Sequence, residues 1–167
     1  MMPDEPKKFL IADANILIDL AQAGELGAIR LLINQKLVEI VIPRCVFDEF
    51  SGEVTETDIH ELGITLAPTT IEIYIKTAQM DERGLSRQDK TILLTAEERG
   101  YTVWTNDRAL GKSCAARGIE VYREFAILKL LLEHGFISKD ALLDIARRVE
   151  EINPLMKGVR ERLNSEF

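Results

Sequence analysis

Several features are scarce in this chain of 167 residues, and each scarcity argues against a class of protein. Cysteine occurs only at Cys45 and Cys114, far apart and without a CxxC pair, so we expect neither a disulfide framework nor a zinc site. No apolar run approaches the ~20 residues that span a bilayer, which argues against a membrane protein. The N-terminal segment MMPDEPKKF lacks the parts of a secretory signal, and this predicts a cytoplasmic protein.

Basic residues are also in deficit, because 21 Lys and Arg stand against 28 Asp and Glu, for a formal net charge of -7. This balance argues against a protein that holds nucleic acid by a broad basic surface, but it leaves room for a local basic groove or a metal-bridged contact. Repeats and linkers rich in Pro, Gly or Ser are missing. The length is that of one domain with at most a small addition.

Strand-like and helix-like segments alternate along most of the chain. Predicted strands cover 8–13, 37–43, 101–105 and 119–123, and predicted helices cover 15–24, 25–36, 44–50, 87–100 and 107–118. Pro43 is expected in the first turn of the short third helix, and the spacing of Ser86 and Asp89 predicts a capping box. Between Ser51 and Ile75 we expect a helix over 55–62 and an extended stretch over 64–70. The order predicts an α/β fold with a parallel sheet.

The last part of the chain has a different pattern. Three helical segments, 125–135, 138–152 and 154–167, follow one another without a strand between them. We therefore predict an α/β domain over 1–123 and a helical C-terminal extension over 124–167 packed on it. The spacing of Leu and Ile in the extension favours core packing over a partner surface.

Two acids follow predicted strands directly, namely Asp13 and Asp107. Ligands of open parallel sheets collect at the carboxyl ends of the strands, so acids at that edge are candidates for a site. For either aspartate alone, the favoured explanation is the N-cap of the next helix. Two such acids on strands that can be neighbours favour a shared site.

Two further acids belong to helices near the same edge. Glu49 lies on the short helix after the second strand, with Asp48 as its competitor, and Asp89 lies in the first turn of a later helix, where capping explains it as well. With few neighbouring Lys or His residues to neutralise them, four acids suit Mg²⁺ or Mn²⁺, which prefer carboxylates, water and phosphate oxygen as ligands.

These motifs resemble the PIN-domain nucleases over roughly residues 8–123. The matching segments are IADANILI with Asp13, IPRCVFDEF with Glu49, LSRQDKTILLTAEERG with Asp89, and VWTNDRAL with Asp107. Asn15 and Thr105 are similar to supporting polar residues of the family. Ala14 departs from it, because the family usually has Ser or Thr there. The segment REFAILKLLLEHGFISKDALL resembles the helical C-terminal extension of a PIN-like branch.

The resemblance implies a three-layer α/β fold, Rossmann-like, with a divalent metal held by Asp13, Asp89 and Asp107. Glu49 would be a further ligand or would orient water, and a metal-activated water would hydrolyse RNA phosphodiester bonds. Many small prokaryotic members are VapC-like toxins held inactive by an antitoxin, and members often form homodimers. These points imply an RNA substrate, a candidate antitoxin partner and a dimer.

Other residues are assigned structural roles. We expect Trp104 to pack in the core, and His60 and His134 to serve in packing or at the surface. Arg87, Lys90 and Arg108 are expected to form ion pairs on helix surfaces rather than contact substrate. Asp19 is interpreted as an exposed helix residue rather than a fifth acid of the site.

Two alternatives to a nuclease stay open. A phosphate-accepting receiver domain also has a parallel α/β fold with clustered acids, but no lysine follows the last strands in the position such a domain requires. A PIN-like module that has lost catalysis and binds a partner is the other alternative. The intact acids argue against it, whereas Ala14 and the helical extension keep it open.

Overall fold

The computed structural model describes residues 5–50 and 52–167. The strands are β1 (Lys7–Ile11), β2 (Val38–Pro43), β3 (Thr65–Ala67), β4 (Thr102–Trp104) and β5 (Val121–Tyr122). The helices are α1 (Ala14–Gln22), α2 (Leu26–Asn34), α3 (Arg44–Phe47), α4 (Glu56–Leu62), α5 (Ile71–Gln79), α6 (Arg87–Arg99), α7 (Arg108–Ala116), α8 (Lys129–Glu133), α9 (Lys139–Ile152) and α10 (Val159–Asn164), with 3₁₀ turns at Ala126–Leu128 and Pro154–Met156.

The five strands form one parallel sheet in the order β3-β2-β1-β4-β5. The predicted α/β class with a parallel sheet is therefore confirmed. The order reverses at β1, as in Rossmann-like sheets, whereas a receiver domain has the flavodoxin-like order 2-1-3-4-5. The strand order thus excludes the receiver interpretation.

The sheet is buried because helices cover both of its faces. Phe9, Leu10 and Ile11 are fully buried on β1, and Val103 and Trp104 are fully buried on β4. Such continuous apolar runs are typical of strands in a parallel sheet covered on both sides. The predicted core position of Trp104 is confirmed, and its indole N–H donates to the backbone oxygen of Glu124 at 2.7 Å.

Local signals set the ends of α6. Ser86 Oγ accepts from the Asp89 backbone N–H, the Asp89 carboxylate accepts from the Ser86 backbone N–H, and the predicted capping box is present. Gly100 ends the helix at φ +69°, a left-handed conformation that glycine adopts without the steric cost that a Cβ imposes.

The C-terminal helices share the core with the sheet domain. Helix α9 packs on α1, and Ile145, Val149 and Leu163 are buried in the same apolar cluster as the strands. Arg148 and Glu25 form an ion pair between the two parts at 2.5 Å, whereas Arg162 and Glu124 pair within the predicted extension. The division into a domain over 1–123 and an extension over 124–167 packed on it stays a prediction.

Some predicted elements differ from the structure. Pro43 is the last residue of β2 and the N-cap of α3 rather than a first-turn residue, because its extended backbone, with ψ 144°, still continues the strand. Helix α5 was not predicted, and its N-cap Thr70 is the last residue of the predicted extended stretch. Ser51, where the weakly patterned segment begins, lies outside the described residues. Among the helices of the described residues, none is long and apolar enough to cross a membrane.

Candidate active site at the carboxyl edge of the sheet

The register of the two central strands brings two of the predicted acids to one edge. Ile11 on β1 pairs with Trp104 on β4, and the Ala12 backbone N–H donates to the Trp104 backbone oxygen at 3.1 Å. Asp13 therefore follows the last paired position of β1 by two residues, and Asp107 follows that of β4 by three. Both acids lie where ligands of such sheets bind.

Asp13 opens the first helix. It is half-buried, and its Oδ1 accepts from the backbone N–H of Asn15 at 2.9 Å, which makes it the N-cap of α1. Its other carboxylate oxygen has no hydrogen-bond partner among the described residues. Capping and a role in a site are thus compatible, because capping occupies one oxygen only.

Asp107 is held in the same way and is supported by a second polar residue. Its Oδ1 accepts from the Leu110 backbone N–H at 2.9 Å, so it caps α7. Thr105 is 1% exposed, and its Oγ1 accepts from the Asp107 backbone N–H at 3.1 Å. This contact fixes the backbone that carries Asp107, which is exposed to solvent. Asn15, by contrast, is exposed, and its side chain contacts no partner in the described part of the chain.

Asp89 lies in the first turn of α6, a helix that leads into β4 and therefore begins near the carboxyl edge. Its Oδ2 accepts from both the backbone N–H and the hydroxyl of Ser86, at 3.1 and 2.8 Å. Oδ1 has no partner among the described residues. The capping interpretation is correct for Asp89, and as with Asp13 it leaves one oxygen unoccupied.

Glu49 lies two residues beyond the end of α3, so its predicted place on that helix is wrong. Helix α3 ends at Phe47 because the chain turns there, and the Glu49 backbone N–H donates to the Val46 oxygen. The Glu49 side chain is exposed. Burial raises the pKa of the neighbouring Cys45 thiol, and the charge of Glu49 adds to that rise.

Asp19 is the residue that sequence reasoning missed. The interpretation as an exposed helix residue is wrong, because Asp19 is only 6% exposed and its Oδ1 accepts from the Asn153 side-chain amide at 2.9 Å. Burial raises its pKa, the charge of Asp13 raises it further, and the hydrogen bond from Asn153 lowers it. The spacing of Ile16, Asp19 and Leu20 at i, i+3 and i+4 was a signal that Asp19 lies on the buried stripe of α1.

The predicted ion pairs of the neighbouring cations are wrong for the described residues. The Arg87 guanidinium stacks over the Tyr74 ring, 3.9 Å from its centroid, and Lys90 Nζ donates to the Met80 backbone oxygen. Arg108 forms no ion pair within residues 5–50 and 52–167. His60 and His134 are exposed and lie on α4 and directly after α8, away from the strand ends, as expected.

The donor chemistry of the four predicted acids suits a hard cation. None of Asp13, Glu49, Asp89 and Asp107 forms an ion pair within the described ranges, so their charge is not neutralised by a Lys or Arg. The side chains are not gathered into one cluster, however. In residues 5–50 and 52–167, no three Asp, Glu, His or Cys side chains lie close enough to hold a metal ion. The ligand set Asp13, Asp89 and Asp107 therefore stays a prediction.

Comparison with known families decides the assignment. A sequence model of the family described as DUF3368, PIN domain, matches residues 9–151. The chain belongs to this PIN-domain family. PIN domains are generally nucleases and usually use divalent metals. The match begins at β1 and reaches the end of α9, so it includes the strand ends that carry the candidate acids.

Among solved structures, this PIN domain is similar to a PilT N-terminus domain protein, SSO1118, from the hyperthermophilic archaeon Sulfolobus solfataricus P2. The two are 11% identical with a TM-score of 0.46, over 75% of this chain and 92% of that chain. No curated protein matches the sequence.

Proposed function

We propose that this PIN-domain protein is a divalent-metal-dependent endoribonuclease that hydrolyses RNA phosphodiester bonds at the carboxyl edge of the sheet. One observation carries the proposal. Asp13 and Asp107 follow neighbouring strands at the same edge, and after capping its helix each keeps one carboxylate oxygen without a hydrogen-bond partner among residues 5–50 and 52–167. This pair offers oxygen ligands at the place where ligands of such folds bind.

Asp13, Asp89 and Asp107 would hold Mg²⁺ or Mn²⁺, and Glu49 would complete the set as a ligand or by orienting water. When bound, such an ion supplies a water of lowered pKa and positive charge beside the phosphate. Metal binding would bring these carboxylates closer together, because among the described residues no three such side chains lie close enough to hold a metal ion. The absence of competing ion pairs at these acids supports that step, because no salt bridge within the described part of the chain has to break.

The protein supplies orientation. Thr105 fixes the backbone of Asp107, and Ser86 fixes one oxygen of Asp89, so the remaining oxygens are presented from restrained side chains. Helices α1 and α7 begin at Asp13 and Asp107, and their N-terminal backbone amides favour an anion such as phosphate nearby. These features position a phosphodiester without a side-chain nucleophile.

A toxin role with a cognate antitoxin, a homodimer and a cytoplasmic location are further parts of the proposal. An apolar face on α5 supports a protein partner. Ile71, Tyr74 and Ile75 lie at i, i+3 and i+4 on that helix and are 79%, 53% and 51% exposed. Exposed apolar patches of this kind mark interaction surfaces more often than single exposed side chains do.

A catalytically silent PIN-like module is the second candidate. It is favoured by the lack of a closed metal cluster in residues 5–50 and 52–167 and by Ala14, which removes a hydroxyl next to Asp13. Such a module would bind a partner through the α5 face or the helical extension and would leave RNA intact.

The test is cleavage of mixed single-stranded RNA by the purified protein with Mn²⁺, with Mg²⁺ and with EDTA. We expect metal-dependent cutting that is lost in the Asp13→Asn/Asp107→Asn double variant, in which asparagine keeps both helix caps. Asp140→Asn is the control, because Asp140 is an exposed acid in the first turn of α9, away from the strand ends.

Calorimetric titration with Mn²⁺ gives a second readout that does not depend on finding the right RNA. Metal binding by the wild type that the double variant lacks supports the proposed ligands even if the RNA is not cut. Absence of both cutting and metal binding would favour the silent module.

A further inference from the structure

A cleft of about 810 Å³ opens next to the candidate site, between the sheet edge and the C-terminal helices. One wall comes from Asn106 and from the chain after β5, and the others come from α8, the Pro154–Met156 turn and α10. Its volume lies in the range of sites that bind small ligands or parts of larger ones. Asn106 and Arg108, the two sequence neighbours of Asp107, line the cleft, so it lies beside the loop that carries this acid.

The charge of this cleft is opposite to that of the whole protein. Five basic and three acidic side chains line it, although the protein carries a formal net charge of -7. Two of the basic residues are paired, Lys129 with Glu166 at 2.7 Å and Arg162 with Glu124. Three others, Arg108, Arg123 and Lys157, form no ion pair within the described ranges.

The three unpaired cations come from three separate elements. Arg108 is the first residue of α7, Arg123 follows β5, and Lys157 follows the Pro154–Met156 turn. Gly111 on α7 leaves room for the Arg123 guanidinium, because a Cβ built there would lie 2.9 Å from Arg123 Nη2. The fold therefore assembles positive charge that no single segment of the sequence contains.

Hydrogen bonds and an ion pair of Glu124 connect the cleft to the strand ends. The Glu124 backbone N–H donates to Asn106 Oδ1 at 2.6 Å, and the Glu124 backbone oxygen accepts from the Trp104 indole at 2.7 Å. The Glu124 carboxylate pairs with Arg162 on α10. Glu124 thus contacts both the loop that carries Asp107 and the α10 wall of the cleft.

From this arrangement we propose that the cleft binds the phosphate backbone of a single-stranded RNA and leads it to the acids at the sheet edge. This inference rests on the proposed ribonuclease function and names the part of the protein that holds the substrate. Single strands bind in positively charged grooves that follow the phosphate backbone. Leu155, 91% exposed at the rim, adds apolar surface that a base can contact.

An acidic peptide is the competing ligand of similar charge. RNA is favoured because the cleft lies beside the carboxyl edge of the sheet, where the proposed metal site would hydrolyse a phosphodiester. The carboxylates of an acidic peptide offer no such bond at Asp107. The three unpaired cations, Arg108, Arg123 and Lys157, are also exposed, so a phosphate backbone can contact them at the surface of the protein.

The experiment measures binding apart from cleavage. Fluorescence anisotropy of a labelled 12-nucleotide oligouridine is followed in EDTA and low salt with the full chain. We expect the Arg108→Gln/Lys157→Gln variant to bind RNA about tenfold more weakly than the wild type. Its slope of log K against log salt should be shallower by about 1.4, because each phosphate contact on a single strand contributes about 0.7. The control is Lys8→Gln/Arg30→Gln, which removes the same charge from exposed positions on β1 and α2 outside the cleft.

Several outcomes overturn the inference. These are no RNA binding by the wild type, an equal loss in the cleft and control variants, and polyglutamate binding as tight as RNA with the same dependence on Arg108 and Lys157. The Asp13→Asn/Asp107→Asn variant keeps its RNA affinity if the cleft binds RNA. If the Arg108→Gln/Lys157→Gln variant binds RNA normally and the protein still cleaves RNA, this inference alone is refuted. If the cleft binds RNA but the protein neither cleaves RNA nor binds metal, only the proposed nuclease is refuted.

Discussion

The Asp19 carboxylate on α1 accepts a hydrogen bond from the Asn153 side-chain amide across 134 residues of sequence, at 2.9 Å. Asp19 is buried, and the charge of Asp13 raises its pKa. The Oδ1 atom of Asn153 accepts from the Leu155 backbone N–H at 3.0 Å. One pair thus connects the helix that Asp13 caps with the turn that carries Leu155 at the rim of the basic cleft.

Replacing Asp19 by Asn is expected to change the pH dependence of stability. Burial raises the folded-state pKa of Asp19 above its usual 3.8, so its contribution to stability is fully present below that value and is lost as pH rises through the folded pKa. Asp19→Asn should therefore be more stable than the wild type at neutral pH, with the difference shrinking toward pH 4. Thermal unfolding at several pH values measures it.

Asp58→Asn is the matched comparison for that series. Hydrogen bonds from Thr55 lower the pKa of Asp58, so its contribution is present above the usual value and is lost as pH falls through the folded pKa. The two variants should shift stability in opposite directions at neutral pH. Parallel curves for both would show that the burial of Asp19 has no such effect.

Removing Asn153 is expected to destabilise the protein. Asn153→Ala leaves the buried Asp19 carboxylate without its hydrogen-bond donor and uncaps the Pro154–Met156 turn. Loss of a partner to a buried polar group costs about 1–3 kcal/mol in the free energy of unfolding. Asn164→Ala, at an exposed position on α10, should cost little, and urea unfolding of both compares them. Equal stabilities would mean that the pair contributes nothing.

Variants of two helix caps distinguish an effect on stability from an effect on RNA cleavage. Ser86 caps α6 and Ser138 caps α9, each by accepting from a backbone N–H. Ser86→Ala and Ser138→Ala should each lower the free energy of unfolding by about 0.5–2 kcal/mol. Only Ser86→Ala also removes one of the two hydrogen bonds that hold Asp89 Oδ2, the one from the hydroxyl, so only that variant should change metal-dependent RNA cleavage. If both variants cleave RNA alike, the hydrogen bonds from Ser86 do not position Asp89 for the reaction.

The thiol of Cys114 should be unreactive in the native protein. Cys114 is fully buried, and burial raises its pKa to about 11, with the charge of Asp89 adding to the rise. The thiolate, which is the reactive form, is therefore scarce at pH 8. Titration with a chromogenic disulfide should modify Cys114 only after unfolding in guanidinium chloride, and the Cys114→Ala variant identifies its signal. Rapid native modification at that position would contradict the burial.

Short-range patterns in the sequence determined the elements and the candidate acids. A capping box such as that of Ser86 and Asp89 closes within one helical turn, so its residues are visible as a spacing. Asp13 and Asp107 follow apolar runs directly, and a parallel sheet places all such strand ends on one edge. Helix α5 was not predicted because Ile71, Ile73 and Ile75 alternate along the sequence at period 2, which is the pattern of a strand.

Only the tertiary structure decided which partner the buried Asp19 has and which residues line the basic cleft. Asp19 is buried because α9 and Asn153 cover it from far along the chain, and no local spacing specifies that partner. Arg108, Arg123 and Lys157 are likewise separated in sequence and meet only after β4, β5 and the C-terminal helices have packed. Hydrogen bonds within a turn depend on neighbouring residues alone, whereas packing between distant elements depends on the whole core, and a sequence pattern records only the former.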